Sequence, residues 1–579
     1  MANDALGKLS ALSRGFRSNY LRNADVEAQM RAWAEAFPEL VRLRSIGSSH
    51  DGAPLWLLTI GPEPDRVRPA AWIDGNMHAT ELAGSSVALA IAEDALRLHL
   101  APDAELHALP AHVRARLRDV VFHVLPRMCP DGAECVLVDG RYVRSNPRDR
   151  RTNKQHARWI GKDVDGDGLS LSMRKVDPGG EFVDCPEVPG LLLPRRLEDP
   201  GPYYKVYPEG LIENFDGVHV PDPYFLSDNE VDLNRNFPWS WMPDHEQAGA
   251  GAFATSEPES RAVVEYVTAH PEIFALLNLH TFGGVFIRPL GHKSDKQMDQ
   301  SDLALFRQLE QWGEQIVGYP TVSGYEEFTY EPDKPLHGDL TDFGYHARGA
   351  IAYVCEIWDL FKQIGIARRK PFADHYTHVT REEMVRLGVW DRDHNHSRVM
   401  RPWKKLQHPQ LGEVEVGGVD GRVGMSNPPY EMLPEICDKQ AAMFLRVAAM
   451  APALVVEDAR VVDLGDGVRR VDVTVANHGY LPTYVLASAK KLAHNEPVTV
   501  EATARGCTLV DPSHARRELG HLEGWGRGLH DGSSALFYMR SRGTGHGRTV
   551  GYAVRGKGTL TLRIGGCRTG WLTKTIEVG

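Results

Sequence analysis

Residues 70–81, AAWIDGNMHATE, constrain this chain more than any other stretch. Ala70 to Ile73 is an apolar run with the texture of a buried strand. Asp74-Gly75-Asn76 stops it, and an apolar-periodic helix is expected from about Glu81 to Leu100. A strand that feeds straight into a helix needs a sheet to lie in, and His78 and Glu81 fall where one becomes the other. Their i, i+3 spacing is expected to turn both side chains to one face. An imidazole nitrogen and a carboxylate oxygen meeting there supply two of the three protein ligands of a catalytic zinc, whose fourth position is left to water. On its own a His near a helix N-terminus is more often a cap or a surface residue, so the weight of the tetrapeptide depends on its company.

That company is a series of further apolar runs. Val41–Gly47 and Leu55–Ile60 flank a turn at Asp51-Gly52 and read as a hairpin at a sheet edge. Val120–Leu125 is another buried strand. Ile273–His280 and Gly349–Glu356 are strands that each close on an ionisable residue, which is costly to bury unpaired. Helices are expected over Asn23–Phe37, Ala262–Ala269, Ser301–Val317 and Pro434–Met450. This alternation predicts an α/β fold, a mixed sheet with helices on both faces, whose ligands bind at strand carboxyl ends.

With 579 residues the chain exceeds one ordinary core. The texture changes at Pro452. Beyond it, short alternating runs such as Val471–Val475 and Thr559–Ile564 are punctuated by Gly, Asn and Pro, as in an all-β sandwich. The expected division is therefore an α/β domain over 1–452 and a β-sandwich over 453–579. Within the first, about 146–223 is rich in Pro, Gly, Asp and Arg and reads as an insertion wrapping the sheet without a core of its own. Asp163, Asp165 and Asp167 there resemble a calcium loop, but Arg174 stands where its twelfth-position Glu belongs, so a tight acidic turn is expected instead of Ca2+. Asp393-His394-Asn395-His396 has the spacing of neither a helix face nor a zinc finger and reads as a solvated helix end. Arg540–Arg548 reads as a flexible hairpin loop.

A net charge of −11 leaves no basic surplus for phosphates, so no nucleic-acid partner is expected. No apolar run approaches a membrane span, and the amino terminus lacks the apolar core of an export signal. Seven cysteines, odd in number and scattered, read as reduced thiols in a cytoplasmic protein.

His78-x-x-Glu81, Asp232-Leu233-Asn234-Arg235-Asn236-Phe237, His280 and Glu356 occur in the order and local context of the zinc carboxypeptidase (M14, carboxypeptidase A-like) family, which the chain resembles over roughly residues 20–450. Cys129-Pro130-Asp131-Gly132 is similar to the family's turn after its third strand, and Gly338–Tyr345 to the segment before its catalytic glutamate. The resemblance implies one zinc ion held by His78, Glu81 and His280, with Glu356 as general base and acid. It implies Arg144 as the cation facing the oxyanion, with Arg148 and Arg174 as rivals because the insertion begins here. Asn234 and Arg235 would clamp a substrate's terminal carboxylate.

Two family features are less clear in this chain. The mobile tyrosine is expected near Lys334, and Tyr330 is the nearest candidate. The base of the specificity pocket corresponds to Thr341, whose neutrality argues mildly against a preference for C-terminal Lys or Arg. No inhibitory prodomain is recognisable, so the enzyme is expected to be made active. The activity implied is release of a C-terminal residue from peptides with a free C-terminus. A zinc amidohydrolase acting on N-acyl amino acids or cell-wall peptides is the alternative. A binding protein with a relic catalytic domain is disfavoured by the complete set of ligands and base.

Overall fold

The computed structural model describes residues 2–152, 154–223, 231–331, 333–529 and 543–579. Four strands open the chain: β1 (Val41–Ser48), β2 (Pro54–Ile60), β3 (Ala70–Gly75) and β4 (Val121–Leu125). The insertion adds β5 (Arg158–Gly161), β6 (Ser172–Val176), β7 (Phe182–Asp184), β8 (Leu192–Pro194), β9 (Tyr204–Pro208) and β10 (Gly210–Glu213). Then follow β11 (Ile273–Thr281), β12 (Val285–Arg288), β13 (Thr321–Ser323), β14 (Ile351–Ile357), β15 (Met400–His408) and β16 (Gly412–Val419).

The central sheet has eight strands in the order β1-β2-β4-β3-β11-β14-β12-β13. Its middle is parallel, from β4 through β3 and β11 to β14, and the predicted hairpin of β1 and β2 forms one edge. Successive residues of β3 serve opposite faces, as a strand's period of two requires. Ala71 and Ile73 join a core that includes the helices Ala83–Leu100 and Leu433–Ala448, whereas Ala70 and Trp72 join one that includes the helix Pro258–Ala269. Both faces are thus covered, which is why the central strands read as unbroken apolar runs.

The insertion differs from expectation. Strand β6 pairs with β16, and a six-stranded sheet β15-β16-β6-β9-β7-β8 results, with β5 and β10 as a separate pair. Trp159, Met173, Ile212, Val414 and Val416 form one small core and Val183, Cys185, Val188, Val399 and Met400 another. The segment therefore has cores of its own, completed by a hairpin about two hundred residues away. Strands of three to five residues are too short for their alternation to stand out. The Asp163–Gly168 stretch is the expected tight turn: Asp163 accepts from the backbone of Gly166 and Gly168, and Lys404 lies 3.3 Å from Asp167.

Beyond the helix Leu433–Ala448, two four-stranded antiparallel sheets face each other. One contains Val468–Asn477 and Gly547–Arg555, the other Val498–Arg505 and Gly558–Gly566, and Val473, Val500, Tyr552 and Leu562 meet between them. The Arg540–Arg548 loop lies partly outside the described residues, and its last two positions belong to a strand.

Arg568 fastens this sandwich to the central sheet. The side chain is 1% exposed and donates to the carbonyls of Ile273 (2.6 Å), Arg348 and Gly349, at the entrances of β11 and β14. Burial pulls its pKa down to about 10, so at neutral pH it stays charged and bonded. Arg568→Met is expected to cost about 2–3 kcal/mol. Urea unfolding should show a lowered midpoint; an unchanged one would mean the contact adds nothing to stability.

Candidate active site

The parallel pairing of β11 with β14 sets His280 directly opposite Glu356, and the pairing of β11 with β3 sets Leu279 opposite Gly75. The carboxyl ends of three adjacent strands therefore present their next side chains to one spot. From β3 the chain does not enter the helix at once. Asn76 adopts a left-handed conformation (φ 57°), which Asn tolerates better than most residues, and donates to the carbonyls of His78 and Ala79. His78 and Glu81 consequently sit in a turn closed by the Glu81 N–H on the His78 carbonyl, and the helix begins at Ala83. The expected pairing of the two side chains holds, although a turn and not a helix face creates it.

Three predicted ligands converge here. His78 Nδ1 lies 2.8 Å from Glu81 Oε1, His280 Nδ1 lies 2.9 Å from Glu81 Oε2, and the two Nδ1 atoms are 3.0 Å apart. All three residues are buried. The outer nitrogens are engaged elsewhere. His78 Nε2 meets Asp232 Oδ1 at 3.0 Å, and His280 Nε2 meets Asn278 Oδ1 at 2.5 Å. With each Nε2–H donated outward, each ring turns an Nδ1 lone pair inward. Two lone pairs and a carboxylate at such distances repel unless a cation stands among them. The donor set fits zinc.

The same tethering extends inward. Asn278 donates to Asp74, which also accepts from Trp72 Nε1 at 2.7 Å, and burial pushes the Asp74 carboxyl up to about 7. Burial and Arg144 act to lower the His78 pKa, but Glu81 and Asp232 outweigh them and raise it. Glu81 is held well below the usual carboxylate range: burial opposes this, and His78 and His280 override it. Glu356 is driven the other way, raised by burial and then by the charge of Glu81.

The arginine rivals separate clearly. Arg144 reaches the centre, 3.6 Å from Glu81 and 3.1 Å from Asp232. Arg148 pairs with Glu257, and Arg174 is buried between Asp184 and Glu415 in the insertion's sheet. Asn234 accepts from the Leu340 N–H through Oδ1, which leaves its amide nitrogen as a donor, and Arg235 donates to the Asn234 carbonyl. Tyr330 is 43% exposed and lies within electrostatic reach of Glu356, Arg144 and Arg235. Lys334 turns away to Glu331.

Thr341 is buried and donates to Asp339 at 2.5 Å. The other Asp339 oxygen is buried with no hydrogen-bond partner, and burial raises this carboxyl to about 6. A carboxyl group thus stands directly beside Thr341. Sequence reasoning gave no role to Asp232, Asn278 or Tyr376. Tyr376 lies close to Glu356 and donates to the Phe282 carbonyl. The first two sit beside recognised residues, at the start of the Asp-Leu-Asn-Arg motif and two before His280, so their spacing could have signalled them. Nothing in the local pattern around Tyr376 could.

Two imidazoles and a carboxylate around one point, beside a second carboxylate and a guanidinium, form a candidate metal centre at the mouth of an α/β sheet. A model of the zinc carboxypeptidase family matches residues 26–178 and 221–365, and the chain belongs to that family. The interval between the matches lies within the insertion. Residues 453–577 match a family described only as a domain of unknown function. Carboxypeptidase E of Caenorhabditis elegans is 31% identical over 122 residues, 21% of this chain and 24% of that one. Rat carboxypeptidase B2 is 23% identical over 294 residues, 51% of this chain and 52% of its own. The chain thus spans about a quarter to a half of the length of these curated relatives. Bovine thrombin-activatable fibrinolysis inhibitor, solved in complex with a tick carboxypeptidase inhibitor, is 16% identical with a TM-score of 0.37, covering 59% of this chain and 87% of that one. A metallo-carboxypeptidase from Burkholderia cenocepacia is 14% identical with a TM-score of 0.34, covering 72% and 67%.

Asp232→Asn keeps the shape of the side chain but removes the charge that orients His78. It is expected to weaken metal affinity about 10–100-fold. Competition with a chromophoric chelator measures this, and parent-like affinity would show that Asp232 does not tune the ligand.

Proposed function

We propose that this protein is a zinc-dependent metallocarboxypeptidase that hydrolyses the C-terminal bond of peptides. The observation that carries the reading is the convergence of His78, Glu81 and His280 beside Glu356, with Arg144 at their edge. The bound zinc supplies a Lewis acid that polarises the scissile carbonyl and acidifies the attacking water.

The chain's own groups do the rest. The Glu356 carboxylate takes a proton from the attacking water and later gives it to the departing amine nitrogen. Its position in register with His280 keeps it within reach of the same carbonyl carbon. Arg144, held by Asp232 and Glu81, presents its guanidinium to the negative charge that develops on the carbonyl oxygen. Arg235 and the free amide nitrogen of Asn234 bind the terminal carboxylate, for which a planar guanidinium is well matched. Tyr330 closes over the bound residue, and Thr341 with Asp339 lines the pocket that receives its side chain. The odd number and scattered positions of the seven cysteines support a cytoplasmic location.

Glu356→Gln is expected to retain zinc and lose about 10²–10⁴ in kcat, whereas His78→Ala loses both metal and turnover. Parent-like turnover by Glu356→Gln refutes the assignment. A panel of peptides beside N-acyl amino acids and cell-wall peptides defines the substrate class: activity confined to the latter two would overturn the peptidase reading. Arg144→Ala should lower kcat about 10²–10³-fold, with Arg148→Ala and Arg174→Ala staying within a few-fold of the parent in steady-state assays.

A further inference from the structure

The described residues hold two further convergences of imidazoles and a carboxylate that share no residue with the first, and one of them lies at the other end of β11. His123 lies in the middle of β4, and His270 and Glu272 occupy the turn that leads into β11, at the opposite end of that strand from His280. One ligand atom from each of His123, His270 and Glu272 lies within 4.8 Å of the other two. His270 Nδ1 is 2.7 Å from Glu272 Oε1, and the His123 and His270 rings are 5.3 Å apart.

These donors are prepared for a cation in three ways. His123 is 4% exposed and Glu272 6%, so both have already lost their water. Buried in β4, His123 stands against two hydroxyl groups. Its Nδ1 lies 3.2 Å from the Tyr266 hydroxyl and 3.3 Å from that of Thr59. A hydroxyl can donate to Nδ1 or accept from it, and either bond fixes the orientation of the ring. Tyr266 also stacks on His270 at 4.2 Å and holds that ring in place. A cavity of about 260 Å³ opens beside the three residues, bordered by Arg66 and Arg68.

We propose that His123, His270 and Glu272 form a second divalent-cation site. Two imidazoles and one carboxylate suit a borderline transition metal such as Zn2+, Co2+ or Ni2+ and not Ca2+ or Mg2+. The adjoining cavity would leave room for a further ligand, and the guanidinium groups of Arg44, Arg66 and Arg68 that line it would favour hydroxide or a small anion there. The cation would join β4 to the entrance of β11, next to the carbonyl that Arg568 holds. Its role is therefore structural, at the seam between the sheet and the carboxyl-terminal sandwich.

The full chain, stripped with chelator, is titrated with Co2+ and followed by visible absorption, and metal content is measured after gel filtration. The parent should bind two equivalents, and His270→Gln and Glu272→Gln should each bind one. Both substitutions are close in size, and His270 is partly exposed, so the fold is expected to survive; circular dichroism checks it. His78→Ala should also bind one equivalent, with the spectrum of the second site alone. A single equivalent in the parent overturns the proposal. So does a second equivalent that persists in His270→Gln and Glu272→Gln.

Discussion

Everything at the active site depends on the parallel register of β11 against β14. Both strands are apolar along their length and covered on both faces, so neither can slip by one residue without driving His280 or Glu356 into the core. The hydrophobic pattern thereby sets the position of two polar groups to the precision of one hydrogen-bond repeat. β3 delivers its own contribution through a turn, which lets His78 and Glu81 swing back over the ends of the other two strands. The chemistry is assembled by packing, and the polar contacts then trim it.

Each ligand is held from behind. Asp232 holds His78, Asn278 holds His280, and Asp74 and Trp72 hold Asn278. Such a chain fixes which ring nitrogens carry protons and leaves the inner lone pairs with no other outlet. The electrostatics divide the two glutamates in the same way. Glu81, between two imidazoles, is held below the usual carboxylate range, whereas Glu356 is raised by desolvation and by the charge of Glu81.

Residues that end apolar strands were the legible part of the site. His280 and Glu356 are conspicuous because an unbroken run of Ile, Leu, Ala and Val gives no other reason for them. His78 and Glu81 were legible as a pair but not as a turn, because the left-handed Asn76 that makes it is one residue among many that tolerate that geometry. Arg144 could not be told from Arg148 and Arg174 by pattern. Only the fold shows that the last two pair with carboxylates away from the histidine cluster, whereas the partners of Arg144 belong to it. The cores of the insertion escaped because the strands that build them are short and are completed by residues 400–419. Tyr376 and the Asp339 carboxylate owe their places wholly to tertiary contacts.

The clasp made by Arg568 bears on how this molecule can be divided. Three backbone oxygens at the start of β11 and β14 take their donors from a residue near the far end of the polypeptide. A shortened version ending near residue 452 would expose those oxygens and the apolar ground around them, at the root of the strands that carry His280 and Glu356. Recombinant trimming of the sandwich should therefore be accompanied by a redesigned surface there, since the tail serves as part of the foundation on which the hydrolytic machinery rests.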